Sequence, residues 1–138
     1  MTTKNNEIEQ IKNSLLVFFQ GLDETNEELF KSVTHQNVRT VNIGNSNEIF
    51  VFTVEEIIEY TITGLRNAIQ KNPGFFSRRE EIDIDHITVH EIIASAEVSY
   101  KMVMPESVGY HRIYFHLAKE NGKWMIVNII DRGLEKGS

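Results

Sequence analysis

The residues able to do chemistry in this chain are few and scattered. It has five histidines and no cysteine, so thiolate nucleophiles, disulfides and cysteine-ligated metals are excluded. His86 and His90 lie too far apart along an extended segment to share a metal. His111 and His116 are separated by an odd number of residues, which points them to opposite faces of a strand. No ligand-spacing motif joins either pair to a further donor, and neither a metal nor a cofactor is expected. His35 reads as a loop residue, which leaves His111 as the histidine placed to act. Among the acids, Asp23 reads as a turn or capping residue and Asp83 and Asp85 as solvent-facing. Asp131 is expected opposite Arg112, as a structural ion pair. There is no glycine-rich phosphate loop, nucleophile elbow or paired-carboxylate motif, so no catalytic residue is assigned.

Helices must come first and strands afterwards. From Glu7 onward Ile8, Ile11, Leu15, Phe18, Phe19 and Leu22 recur at three- and four-residue steps. They share one helical face, with Asn6 and Glu9 as a capping pair and Gly21 and Asp23 at the end. Thr25 and Glu28 have capping-box spacing for a short second helix through Phe30 and Val33. Thr53 and Glu56 repeat it for a third, which carries Ile57, Ile58, Ile62 and Leu65 and stops by Asn72-Pro73-Gly74. Between these helices, Val38 to Ile43 and Glu48 to Phe52 alternate about Gly44, Asn45 and Ser46 as a hairpin flanking a mouth. After Pro73 the period changes to that of long antiparallel strands, with a phase slip near Asp85-His86 that predicts a bulge.

Asn121-Gly122 is a two-residue hairpin turn that sets Glu120 opposite Lys123. Counting outward, Leu117 meets Ile126, Phe115 meets Asn128, Ile113 meets Ile130 and His111 meets Arg132, all on the face of Trp124. The opposite face then carries Tyr114, His116, Met125, Val127 and Ile129. Both faces are apolar, which predicts helices on one side and a second copy of the chain on the other.

Composition bounds what such a scaffold could do. The 138 residues fit a single domain, 1–138, and 41% hydrophobic with 25% charged residues suits a globular core. A net charge of -6 has the wrong sign for tracking phosphates, so nucleic acid is not an expected partner. The polar, acidic segment from Met1 to Gln10 does not read as a secretory signal. No apolar run approaches the roughly 18 residues of a membrane span, so the expected location is cytoplasmic, away from membranes.

The opening helix ending Phe18-Phe19-Gln20-Gly21-Leu22-Asp23, the segment Phe30 to Val38 and the stretch Tyr110 to Asn128 together resemble the nuclear transport factor 2-like (SnoaL-like) superfamily. Its ketosteroid isomerase and polyketide cyclase relatives share the fold. The segment from Tyr114 through Asn121-Gly122-Lys123-Trp124 to Asn128 is most similar to the bacterial subgroup labelled putative lumazine-binding. The resemblance implies an α+β cone, with three N-terminal helices packed in the concave face of a curved, mostly antiparallel sheet. It also implies a pocket between the layers, often with a dimer through the outer sheet face. The isomerase relatives use a tyrosine from the first helix, where this chain has Phe18 and Phe19, so that constellation is not recognisable.

Two functions remain. In the first, a homodimeric binding module takes a small apolar or aromatic ligand, flat and partly anionic, oriented by Asn128, Tyr100, His111 and Arg132 against the wall residue Phe115. In the second, an isomerase, dehydratase or cyclase uses His111 as general base, with Arg132 or Tyr100 stabilising an enolate-like oxygen. For Asn128 the preferred reading is an amide satisfied by backbone or water, and Tyr100 reads equally as a core tyrosine with its hydroxyl at the rim.

Overall fold

The computed structural model describes the backbone of residues 2–137 and the side chains of residues 4–134. Helix α1 (Thr2–Asp23) starts ahead of the Asn6 and Glu9 pair and buries Ile11, Leu15, Phe18 and Phe19. Helix α2 (Glu27–Ser32) is capped by Asn26, whose side chain accepts from the Leu29 N–H, rather than by Thr25. Thr25 instead takes a left-handed conformation in the turn, φ 51°. Gly21 is where the two helices touch. A Cβ there would stand 2.7 Å from the Phe30 backbone nitrogen, so any larger residue forces the helices apart.

Strands β1 (Thr34–Ile43) and β2 (Ile49–Phe52) form the expected antiparallel hairpin. The Thr53 and Glu56 capping box then opens α3 (Val54–Ile58), which continues through a π-helical turn (Glu59–Thr63) into α4 (Gly64–Lys71). Strands β3 (Arg78–His90), β4 (Ile93–Met104), β5 (Ser107–Glu120) and β6 (Lys123–Gly137) complete a six-stranded sheet in the order β2-β1-β6-β5-β4-β3. Among the described residues only the β1 and β6 pair is parallel. The bulge expected near Asp85-His86 is present, with His86 at φ 50° and the β3 to β4 register shifting between Asp85 and Thr88. Among the described residues no helix is long and apolar enough to cross a membrane.

The core lies between α1 and the concave sheet face. Phe18 and Phe19 meet Phe115 edge-on, at centroid distances of 5.5 and 5.9 Å, and Ser14 Oγ donates to the buried Trp124 carbonyl at 2.9 Å. Each buried phenylalanine contributes about 1.5–3 kcal/mol relative to exposure. That burial fixes the sheet against α1 and gives the cavity a rigid floor.

One register feature reorders the last hairpin. Glu120 faces Lys123 and Leu117 faces Ile126 as expected, but the next pair is His116 with Asn128, so Val127 is an extra residue in β6. Beyond that bulge every β6 side chain changes face. Phe115 faces Ile129, Tyr114 faces Ile130, Ile113 faces Asp131, Arg112 faces Arg132 and His111 faces Gly133. The driving force is burial. The bulge lets Ile126 and Ile129, three residues apart, both point inward at 0% and 2% exposure, which an unbroken strand of period two forbids.

Candidate functional site

A cavity of about 490 Å³ lies between the sheet and the helices, within the usual range for small-molecule sites. Its helical wall is Phe18, Phe19 and Leu22 of α1 together with Ile57, Tyr60, Leu65 and Ala68. Its sheet wall is Thr40, Asn42, Phe52, Tyr100, Met102, Ile113 and Ile129.

A row of polar side chains crosses the sheet wall. Asn42 of β1 is the register partner of Asp131 on β6, and Tyr100 of β4 is the register partner of His111 on β5. His111 Nδ1 lies 2.9 Å from Asp131 Oδ1. An ionised carboxylate only accepts, so in this contact the Nδ1 carries the proton, which in the neutral imidazole is the tautomer with its lone pair on Nε2. The imidazole stacks on Tyr100 at 4.9 Å with ring planes 8° apart. On its other side stands Gly133, where a Cβ would fall 2.9 Å from the ring. Glycine at that position therefore makes the slot in which the ring lies.

A second ion pair closes the far end. The Arg79 side chain is 4% exposed, between the faces of Phe19 and Tyr100 at 4.7 and 4.3 Å. Its Nε and Nη2 both donate to Asp23, the shortest contact being 2.9 Å. Burial pushes the Tyr100 hydroxyl well above its ordinary ionisation range, and the adjacent guanidinium offsets only part of this, so it remains a neutral donor. Three buried side-chain polar atoms have no partner among the described residues: Thr40 Oγ1 and Asn42 Oδ1, on side chains that line the cavity, and Asp85 Oδ1, which lies outside it.

Of the residues expected to contact a ligand, Tyr100 and His111 line this cavity. Phe115 is wholly buried behind Phe18 and Phe19 and does not line it. Asn128 and Arg132 lie on the opposite sheet face, because the Val127 bulge reverses their direction. Asn128 there is 3.1 Å from the His116 ring nitrogen, and Arg132 donates to the Gly44 carbonyl at 2.9 Å. The same reversal breaks the expected pairing of Asp131 with Arg112. Asp131 turns inward to His111, and Arg112 pairs with Glu97 at 3.0 Å. Ile129, expected on the outer face, is in the core, with Ile130 outside.

Asp23, placed by sequence in a turn, is instead the partner of Arg79. Nothing in the spacing of these two residues announces that contact. Thr40 and Asn42 did have a signal, since their alternation with Val38 in the hairpin strand puts all three on one face. Outside the cavity, donor atoms of Asp85, His86 and Glu97 lie within 4.8 Å of one another, but Arg112 already holds Glu97.

The comparisons agree with this architecture. Residues 6–130 match the model of the family described as Putative lumazine-binding. The chain belongs to that family. Among solved structures, an NTF2-like protein of unknown function from Shewanella baltica is 15% identical to this member, with TM-score 0.67 over 93% of this chain and 94% of its own. A protein titled Putative Scytalone Dehydratase from Novosphingobium aromaticivorans is 16% identical, with TM-score 0.66 over 100% and 92%. Hexachlorocyclohexane dehydrochlorinase LinA-type3 from Novosphingobium barchaimii is 9% identical, with TM-score 0.71 over 98% and 92%. At these identities the likeness shows the shared cone fold. No curated protein matches the chain.

Proposed function

We propose that this protein binds a small, flat, apolar or aromatic molecule in the cavity between its helices and sheet, with Tyr100 and His111 orienting it. The observation carrying this reading is the cavity itself: aromatic and aliphatic on most sides, with its polar groups gathered in one row. The family description, with its reference to lumazine, makes fused heterocycles a sensible first set of compounds. The test is a thermal-shift and calorimetric screen of pteridines, flavin precursors, steroids and aromatic acids. Ala68→Trp, which fills the cavity from α4, should abolish the response to any hit, and Arg132→Ala on the outer face should leave it intact. A hit that responds equally to both variants would overturn the reading.

A second reading is supported by the 2.9 Å contact between His111 and Asp131. An imidazole oriented by a carboxylate at Nδ1 is, in its neutral form, equipped to remove a proton beside a carbonyl through Nε2. The Tyr100 hydroxyl would serve as a donor to the resulting oxyanion. This is the isomerase, dehydratase or cyclase alternative, without Arg132. Exchange of the acidic hydrogens of 2-indanone in deuterated water, accelerated by the protein and lost in Asp131→Asn, would favour it. Exchange no faster than in buffer would count against it.

The proposed assembly is a homodimer through the outer sheet face. That face is more mixed than the sequence suggested, with Glu97, Lys101 and Arg112 beside Tyr110, Tyr114 and Leu134, which are 46%, 41% and 39% exposed. Sedimentation should give a dimer at micromolar concentration, weakened by Tyr114→Lys. A monomer would remove this part of the proposal.

A further inference from the structure

The sequence pointed to a partly anionic ligand, on the strength of Arg132, and the cavity gives no basis for that preference. Arg132 faces outward, and the cation that does line the cavity, Arg79, is already held bidentate by Asp23. What lines the β1 end includes unpartnered acceptor oxygens. Asn42 Oδ1 is an amide oxygen and can only accept. It is buried without a partner and stands at the register position of Asp131, whose carboxylate also only accepts when ionised. One Asp131 oxygen is engaged by His111. Thr40, one step along the same face and 8% exposed, adds a hydroxyl oxygen with no partner. A hydroxyl can accept from a ligand donor through its lone pairs.

Buried polar atoms are paired in the great majority of folded proteins, and leaving one unpaired is costly. Two on one strand, on side chains lining the same cavity and one of them more than nine-tenths buried, constitute an incomplete hydrogen-bonding site. A carboxylate or phosphate brought there would stand against the Asp131 carboxylate, and an ether oxygen would leave Asn42 Oδ1 unpaired. An O–H or N–H would complete it. We propose that the Thr40, Asn42 and Asp131 corner is a subsite for a hydrogen-bond donor, so that the ligand class is a flat apolar ring system bearing an N–H or O–H at one end. Phenols, enols and N–H heterocycles belong to this class, and carboxylates and simple ethers do not. The inference rests on the cavity reading above and sharpens it from shape to polarity.

The test uses two molecules of the same shape, indole and benzofuran, in which a ring N–H is exchanged for a ring oxygen. Their dissociation constants for the full-length protein are measured by NMR titration. Indole should bind about tenfold more tightly than benzofuran, the fold-change of one net hydrogen bond. That preference should vanish in Asn42→Leu, which keeps the side-chain volume and removes the acceptor. Equal binding of the two compounds to the unaltered protein, or an unchanged preference in the variant, overturns the donor subsite and leaves the cavity reading standing. Binding of neither compound overturns both. A second measurement needs no ligand: Thr40→Val removes an unpartnered hydroxyl while keeping shape, so its melting temperature should stay level or rise. A fall of several degrees would mean the hydroxyl is already satisfied and would overturn the proposal.

Discussion

Gly133→Ala is the substitution that most sharply probes how the polar row is held. The added Cβ would lie 2.9 Å from His111 Cε1 and 3.2 Å from Nδ1. Ordinary carbon contacts begin near 3.5 Å, so the ring must retreat by about half an ångström. It has nowhere to go, because Tyr100 is stacked against it from β4 at 4.9 Å. A displacement of that size along the contact would stretch the 2.9 Å bond to Asp131 to about 3.4 Å, the weak edge of hydrogen bonding. Overpacking of this kind costs about 1–3 kcal/mol, and a bond to a charged group about 1.5–3 kcal/mol. The second figure is discounted because the two side chains are 25% and 17% exposed. Against them stands the preference of a strand for alanine over glycine, about 0.5–1 kcal/mol. The net expectation is a loss of about 2 kcal/mol, or about 6–10 °C in melting temperature for a chain this size. Gly44→Ala is the matched control. Its Cβ would meet nothing within 4 Å, so stability should stay level or rise by about 0.4–1 kcal/mol. Thermal unfolding by circular dichroism, with the His111 ring protons followed by NMR, reads both effects. Equal melting temperatures for the two variants, with unmoved His111 resonances, would refute the slot.

Other expectations follow from the ion pairs and the helix contact. Asp23→Ala strands the Arg79 cation and should cost about 2–3 kcal/mol by denaturant unfolding, less than the 3–5 of a fully buried pair because 36% of Asp23 is in water. Combining it with Arg79→Met should restore most of that loss, and no recovery would contradict the account. Glu7 accepts from Lys119 Nζ at 2.7 Å and from Trp124 Nε1 at 2.8 Å, and the Lys119 bond foremost holds its carboxyl below the ordinary value of 4.5. The stability it supplies is therefore present above that value and is lost as the pH falls through the lower folded value. Melting curves should fall more steeply below about pH 4.5 for the unaltered protein than for Glu7→Gln, and parallel curves would contradict this. Gly21→Ala, with its Cβ 2.7 Å from the Phe30 backbone nitrogen, should cost about 1–3 kcal/mol in unfolding free energy.

The elements were legible because each carries a local signal. Helical steps from Ile8 to Leu22, the Thr53 and Glu56 box and the Asn121-Gly122 turn all do what their chemistry dictates. The site was only partly legible, and Val127 is the reason. The run from Met125 to Ile130 is apolar in both phases of a two-residue period, so hydrophobicity cannot locate an extra residue within it. Its one strongly polar member, Asn128, was the available clue. An unbroken strand turns that amide toward the core, whereas the bulge turns it out to His116. Every residue after it changed sides, which removed Arg132 from the cavity and brought in Asp131. His111 and Tyr100 keep the face that their strand parity predicts, because the extra residue sits in β6 and the β4 to β5 pairing has no shift. Arg79 and Asp23 meet across 56 residues of sequence, and long-range pairs of that kind leave no periodic trace.

The central claim, that the concave cavity is the ligand site, is tested most directly by isoleucine methyl NMR. Ile57, Ile113 and Ile129 line the cavity, while Ile82 and Ile93, 38% and 57% exposed, do not. Titration with indole should shift the methyl resonances of the first three along a single saturable curve and leave the other two in place. Saturable shifts confined to Ile82 and Ile93, or none at any of the five at millimolar indole, would contradict it.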